Sequence, residues 1–291
     1  MRVLMCPPLY YAINWEDPAK NPWMKMNKQP DRGKAIAQWG KLWHLYEFLG
    51  AKIRTLETVP CLGDQIFTAN IAWSMPIWSE EGNENRRTFI MANLAPELRR
   101  PEIIIAARWF AENRFSTYFL PEEMLFEGQG DIITTKEAYL YCYGVRNSLE
   151  AIEEIRKVFN LKKPIIPLRL IDPRFYHGDV CIRYSKRRDA VLFYPGAFDA
   201  ESVKAIEKLK AKKKDVSREF MVQELFDGRN FPLNGSYINN VETFPWNDEI
   251  EEFPRNLKGW IERDGGEVVT LNFSQFGLSG AGHRCVTLFL D

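Results

Sequence analysis

The side chains of this sequence best suited to chemistry are His177, Asp179, Glu127 and Cys285. In Ile171-Asp172-Pro173-Arg174-Phe175-Tyr176-His177-Gly178-Asp179 a histidine and a carboxylate stand two residues apart, directly before Val180-Cys181-Ile182, an apolar-leaning run that reads as a strand. Side chains at i and i+2 of an extended segment share a face, so His177 and Asp179 can reach one cluster of substrate atoms. Taken alone, His177 is better read as a packed or surface histidine. Phe126-Glu127-Gly128-Gln129-Gly130-Asp131 adds a carboxylate in a turn whose glycines let the backbone approach a ligand closely, and alone it is an ordinary turn with solvated acids. Ser279-Gly280-Ala281-Gly282-His283-Arg284-Cys285 is a Gly-rich loop that delivers a cysteine at the first residue of a strand, its sulfur accessible from the loop side. A free thiol has a pKa of about 8.5, so a histidine or a bound cation must help if it is to act as a nucleophile at neutral pH.

These groups need a scaffold. The chain has 291 residues, 45% of them hydrophobic and 27% charged, enough for one large domain or two small ones with a full core. Lys plus Arg balance Asp plus Glu, which argues against a nucleic-acid partner. The longest apolar runs, such as 103–107, cannot span a bilayer, and the N-terminus opens on a strand-like Arg2-Val3-Leu4-Met5 instead of a signal core, so no membrane association is expected. The five cysteines show no CxxC spacing, and the three histidines, His44, His177 and His283, lie far apart. A disulfide framework and a structural metal are therefore not expected, and a reduced, cytoplasmic setting is. Cys6, Cys61, Cys142 and Cys181 sit in apolar or strand-like surroundings and read as core.

Apolar spacing predicts a helix from about Gly33 to Leu49, with Gly50 as its C-cap, and His44 as a packing or surface residue. Further helices are expected over 96–113, 148–159, 200–212 and 248–263, with strands at 2–6, 52–57, 87–92, 115–119, 131–135 and 137–142. Residues 76–85 read as a loop and Lys208 to Lys214 as a solvated helix end. Helix starts recur at intervals of roughly 50–60 residues, a period that suggests repeated α/β units. No Ser/Gly/Pro-rich linker interrupts them, so residues 1–291 read as a single domain.

Five motifs in order carry a resemblance. They are Asp64-Gln65-Ile66-Phe67-Thr68-Ala69-Asn70, Phe126-Glu127-Gly128-Gln129-Gly130-Asp131, Gly144-Val145-Arg146, Phe175-Tyr176-His177-Gly178-Asp179 and the final loop with Cys285. With Met5-Cys6-Pro7-Pro8 and Asn21-Pro22-Trp23-Met24 before them, the chain resembles, over nearly its whole length, the arginine deiminase superfamily of guanidine-modifying enzymes. Within it, the likeness is to the dimethylarginine dimethylaminohydrolase-like and amidinotransferase-like bacterial branch. The resemblance implies the pentein fold, an α/β five-bladed propeller with pseudo-fivefold repeats in a single domain, and no cofactor. It implies that Cys285 attacks the central carbon of a guanidinium group to form a covalent thiouronium. His177 would protonate the departing amine and then activate the water or amine that resolves the intermediate. Glu127 and Asp179 would hold the guanidinium nitrogens and Arg146 a carboxylate elsewhere on the substrate, with Asn21, Asp64, Phe67 and Asn70 completing the binding set. Two carboxylates about 4 Å apart repel by about 4 kcal/mol at an effective dielectric of 20, and a planar cation between them relieves that strain.

The sequence departs from the family pattern in two places. Asn70 stands where many superfamily hydrolases carry an aspartate, which resembles the arginine-dihydrolase type, and Gly178 follows His177 where a larger apolar residue is more usual. The leading expectation is a cofactor-free hydrolase of a guanidino C–N bond in arginine or a derivative, with a small-molecule guanidine as partner and room for a homo-oligomer. An amidinotransferase stays open as the alternative, and so does a non-catalytic binding protein, because the fold hosts both.

Overall fold

One arrangement of secondary structure is used five times. In the computed structural model, which describes residues 1–75, 87–217, 231–246, 252–263 and 265–291, each unit is a three-stranded sheet. Its middle strand pairs antiparallel with one neighbour and, across a helical crossover, parallel with the other. A parallel neighbour needs such a crossover because a tight hairpin can join only antiparallel strands.

The first unit holds β1 (Arg2–Met5), α1 (Arg32–Phe48) and β2 (Lys52–Thr55). The second holds β3 (Ala72–Trp73), β4 (Thr88–Met91), α2 (Arg100–Glu112) and β5 (Ser116–Phe119). The third holds β6 (Ile132–Thr134), β7 (Tyr139–Tyr143), α3 (Ala151–Val158) and β8 (Ile165–Arg169). The fourth holds β9 (Ile182–Ser185), β10 (Ala190–Phe193), α4 (Ala200–Glu207) and β11 (Lys212–Asp215). The fifth holds β12 (Ser236–Ile238), β13 (Val241–Pro245), α5 (Arg255–Glu262) and β14 (Glu267–Leu271). A short helix, α6 (Ser274–Gly277), then leads to β15 (Leu288–Phe289), which pairs antiparallel with β1 and supplies the strand that the first unit lacks.

Local chemistry explains the pattern. The middle strands are mostly apolar, with exceptions such as Glu242 and Thr243 in β13, and in Ala190-Val191-Leu192-Phe193 every residue is buried between two flanking strands. Asp31 caps α1 by accepting from the Lys34 backbone N–H at 2.9 Å, and the helix ends at Gly50, whose φ of +80° is the left-handed conformation glycine adopts without strain. Ala35, Gln38, Leu42 and Tyr46 face inward at helical spacing.

The differences from expectation are local. The 96–113 helix begins with a 3-10 turn over Glu97–Arg99, and α2 proper starts at Arg100 with Pro101 in its first turn, where no N–H is needed. The lysine run is not a helix end throughout. From Lys212 it is the edge strand β11, where lysines deter pairing with another chain. The strand expected from Val180 starts at Ile182, after a 3-10 turn over Gly178–Val180. The loop expected at 76–85 and the first residues of the 248–263 helix lie outside the described residues.

Candidate active site

The candidate residues cluster in the turns that lead into the first strand of each unit. Asn70 ends the 3-10 turn before β3, and Glu127 opens the Gly128–Gly130 turn before β6. His177 and Asp179 belong to the turn before β9, Asn234 lies just before β12, and Cys285 sits in the turn before β15. These turns contact one another in a ring. Gly128, at φ +63°, lies so close to the 69–72 backbone that a Cβ there would come within 2.7 Å of the Ala69 carbonyl oxygen. Asp131 accepts from the Gly178 N–H at 2.7 Å, and the Asn234 amide donates to the Asp179 carbonyl at 3.2 Å. Asn234 Oδ1 accepts from the N–H groups of Gly282 and Cys285 at 2.9 and 3.2 Å, and the Ala69 N–H donates to the Cys285 carbonyl at 3.1 Å.

Inside this ring the side chains sort into two ion clusters and a thiol. Arg146 grips Glu127 through Nε and Nη2 at 2.8 and 2.9 Å, the forked geometry that suits guanidinium to carboxylate. Glu127 Oε1 also accepts from the Ala95 N–H at 2.9 Å, while Oε2 lies 3.2 Å from His177 Nε2. The other imidazole nitrogen, Nδ1, is hydrogen-bonded to Asp131. Arg99 pairs with Glu102 at 3.0 Å and approaches Asp64 at 3.8 Å, and Trp15 Nε1 donates to Asp64 at 2.5 Å. Cys285 Sγ lies 3.6 and 3.9 Å from the Asp179 carboxylate oxygens and accepts from Asn234 Nδ2 at 3.1 Å.

Environment drives these groups in opposite directions. Burial alone would raise the Glu127 carboxyl, but Arg146 and then His177 outweigh it and hold the group far below the usual carboxylate range. Burial would lower His177, but Asp131 and Glu127 win and lift it to about 9, so the imidazole is protonated at neutral pH. Burial lifts Asp179 to about 6 against the pull of His177 and Arg284. Burial first, and the charge of Asp179 second, push the Cys285 thiol well above its ordinary value. With every group ionised, Asp64, Glu102, Glu127, Asp131 and Asp179 outnumber by one the cations Arg99, Arg146, Arg284 and His177 packed with them.

Several expectations need restating against this geometry. His177 and Asp179 both lie beside Gly130, yet not as alternate residues of an extended strand: His177 is extended and Asp179 is in a 3-10 turn. Cys285 is three residues short of its strand, and at 2% exposure it is enclosed. Glu127 is fully engaged by Arg146, Ala95 and His177, and Arg146 also donates to the Lys20 carbonyl at 3.0 Å. Neither is a free hook: they form a buried pair that borders the site. Asn70 Oδ1 accepts from Arg99 Nη1 at 3.3 Å, and its Nδ2 is buried without a partner, facing Gly130. Asp64 likewise keeps Oδ1 buried and unpartnered. Phe67 lies under the Arg99 guanidinium at 5.7 Å, and Asn21 joins the Gly-rich loop by donating to the Ser279 carbonyl at 3.0 Å.

Sequence reasoning gave no role to Asp131, Arg99, Glu102 or Asn234. Asp131 ends a motif already singled out, so its closeness to a glycine turn was a usable signal. The others carry no local mark. Among the described residues no group of His, Cys, Asp and Glu is disposed to hold a metal ion, and no helix is long and apolar enough to cross a membrane.

No protein-family model matches the chain. It is 30% identical over 291 residues to the bifunctional arginine dihydrolase/ornithine cyclodeaminase ArgZ of Synechocystis, an alignment that covers 99% of this chain and 37% of that protein. It is 32% identical over 201 residues to the N(G),N(G)-dimethylarginine dimethylaminohydrolase of Mycobacterium tuberculosis, covering 68% of this chain and 59% of that one. The crystal structure of the N-terminal domain of ArgZ bound to substrate superposes with a TM-score of 0.81 at 28% identity, covering 99% of this chain and 97% of that domain. The chain thus spans little more than a third of the bifunctional relative and nearly all of that relative's N-terminal domain. It has the α/β fold of that domain, and it belongs to the guanidine-modifying, or pentein, superfamily, beside the arginine dihydrolases and dimethylarginine dimethylaminohydrolases.

Proposed function

We propose that the chain is a hydrolase that cleaves guanidino C–N bonds of arginine or an arginine derivative through a covalent cysteine intermediate. The observation that carries this reading is the buried set at the ring of turns: Cys285 Sγ beside the Asp179 carboxylate, with a protonated His177 anchored by Asp131 and Glu127. The five units stand around that ring as the blades of a five-bladed propeller, and residues 1–291 form a single domain.

The residues divide the work. With every group ionised the cluster has one carboxylate more than it has cations, and burial already lifts Glu102 to about 7 and Asp179 to about 6, so a guanidinium ion favours the fully ionised cluster and restores its balance. Asp179 takes its N–H groups, and the same positive charge beside Sγ favours the thiolate that burial and Asp179 otherwise oppose. Sγ attacks the guanidinium carbon, forming a C–S bond. His177 gives its proton to the departing nitrogen as the C–N bond breaks, which leaves a thiouronium on Cys285. Neutral His177 then takes a proton from water as the oxygen attacks that carbon, and the C–S bond breaks to return the thiolate. Asn70 Nδ2, a buried donor with no partner of its own, faces this region and can hold the incoming water. Its amide, in place of an aspartate, supports the dihydrolase type, in which both terminal nitrogens are removed. ArgZ structures bound to substrate, to product and, in an asparagine variant, to a covalent reaction intermediate support the covalent route.

The test is product analysis by mass spectrometry after incubation with arginine, N-methylated arginines and agmatine, with and without an acceptor amine. Ornithine or citrulline with ammonia, formed without acceptor and lost in Cys285→Ser at unchanged thermal stability, is expected. Turnover retained by Cys285→Ser, or product only with an acceptor amine, would overturn the reading.

A further inference from the structure

Four of the five turns of the ring bring a side chain that the proposed reaction already uses, and the turn before β12 brings Asn234. The residue is fully buried, and its amide makes a complete set of contacts. Oδ1 accepts from the Gly282 and Cys285 N–H groups at 2.9 and 3.2 Å, and Nδ2 donates to the Asp179 carbonyl at 3.2 Å and to Cys285 Sγ at 3.1 Å. The network fixes the orientation. Turned over, the amide would set its N–H groups against two N–H donors and its oxygen against a carbonyl and a sulfur. The fit is tight as well: a Cβ on Gly282 would fall 3.0 Å from Asn234 Oδ1 and 2.8 Å from its carbonyl oxygen, so only glycine lets the loop lie against this amide.

We propose that Asn234 is a catalytic residue that holds the Cys285 sulfur and donates a hydrogen bond to its thiolate, an inference that rests on Cys285 being the nucleophile. Sγ lies between two unlike groups. Asp179, an acceptor, can take the proton of the neutral thiol, whereas Asn234, a donor, favours the ionised sulfur. The Asn234 amide is therefore the side of the pocket that steadies the thiolate, and it aims the sulfur by gripping the backbone N–H of the same cysteine. A hydrogen bond to a charged group buried from water is worth about a tenfold to hundredfold change in an equilibrium or rate.

The experiment is the pH profile of Cys285 alkylation by 2-chloroacetamidine, read by peptide mass spectrometry, in the wild type, Asn234→Asp and Asn234→Ala, with kcat and KM for arginine beside it. The Asp variant keeps the acceptor that holds Gly282 and Cys285 and loses the donor to sulfur. It should move the alkylation midpoint to higher pH and lower kcat about tenfold to hundredfold with little change in KM, and its melting temperature should fall, because its second carboxylate oxygen faces the Asp179 carbonyl to which the amide donated. An Asp variant that matches the wild type in both readouts, whether or not the Ala variant folds, would overturn the donor role and leave Asn234 a loop clamp only. Wild-type Cys285 that stays unlabelled at every pH would instead refute the nucleophile reading, so the two failures are distinguishable.

Discussion

Asp131→Asn should take the proton from His177 at neutral pH while leaving the ring of turns in place. The carboxylate touches Nδ1 and accepts from the Gly178 N–H at 2.7 Å, and an asparagine keeps the acceptor without the charge. His177 stands at about 9 against an ordinary 6.5, a net gain of about 3 kcal/mol for the imidazolium, achieved although burial opposes it and with Asp131 as the largest favourable contribution. Without that charge the value should fall to 6.5 or lower, so that at pH 7.5 roughly a tenth or less of the imidazole is protonated instead of nearly all of it. The same shift sets a stability difference. A folded value above the unfolded one means that protonated His177 stabilises the fold in full below about pH 6.5, and that this contribution is lost as the pH rises through about 9. Chemical denaturation from pH 6 to 9.5 should therefore show a fall in the wild type, by about 3 kcal/mol from this group, that the variant lacks. NMR titration of isotope-labelled histidine follows the imidazole itself, and arginine turnover at pH 7.5 should drop tenfold or more. A His177 midpoint that stays near 9 in the variant, or two stability curves of equal slope, would refute the assignment of the shift to Asp131.

Asp179→Asn should trade activity for stability. Burial lifts Asp179 to about 6, so the wild-type contribution is present below about pH 3.8 and lost as the pH rises through 6; above that, the asparagine variant should be the more stable by up to about 3 kcal/mol in urea titrations, with turnover abolished. A variant less stable than the wild type at pH 8 would contradict this. Gly130→Ala would place a methyl group 2.8 Å from Asn70 Nδ2 and 3.5 Å from His177 Nδ1, so kcat/KM should collapse while stability falls by about 1–3 kcal/mol. Gly128→Ala, at φ +63° with the Ala72 carbonyl at 2.6 Å, should instead lower the melting temperature markedly, and equal behaviour of the two variants would show that Gly130 does not border the site.

The legible part of this molecule was its local chemistry. The α1 span, its Gly50 cap and the spacing of helix starts follow from side-chain period and glycine conformation, and these depend on neighbours a few residues away. His177 and Asp179 stood out by their spacing ahead of a strand-like run, and Glu127 and Cys285 by the glycine turns beside them, and the structure brings all four to one ring. What the sequence hid was the partnership between turns. Nothing near Asn234 marks it, because the sulfur it meets is 51 positions away and is reached only when two separate strand entries lie side by side. The pairing of Glu127 with Arg146 was hidden for the same reason, since a carboxylate in a glycine turn looks free to bind a ligand until the residue that fills it is known. Edge effects misled as well: lysines at 212–214 have the composition of a helix end, yet β10 supplies a parallel neighbour that makes them a strand.

The two buried histidines show why residue type underdetermines function here. His177 and His283 are almost equally enclosed, at 1% and 0% exposure, and both belong to turns that feed a first strand. Burial pushes both imidazoles towards the neutral form. Around His283 the nearby charge is the Arg183 guanidinium, which adds to that push and takes the group to about 3; its Nδ1 lies 3.1 Å from the Thr243 hydroxyl, and it stays neutral across the physiological range. Around His177 the neighbours are Asp131 and Glu127, which reverse the push. Of these two only His177 can therefore hold a proton at neutral pH to hand to a leaving nitrogen, although His283 is the one nearer Cys285 in sequence. Glu127 and Asp179 divide in the same way, one held ionised by Arg146 and the other lifted towards neutrality beside the thiol. Groups of one type driven apart by their surroundings are how a single site can hold acid and base roles together at one pH. In this molecule the surroundings that do so are side chains brought in from neighbouring turns of the ring.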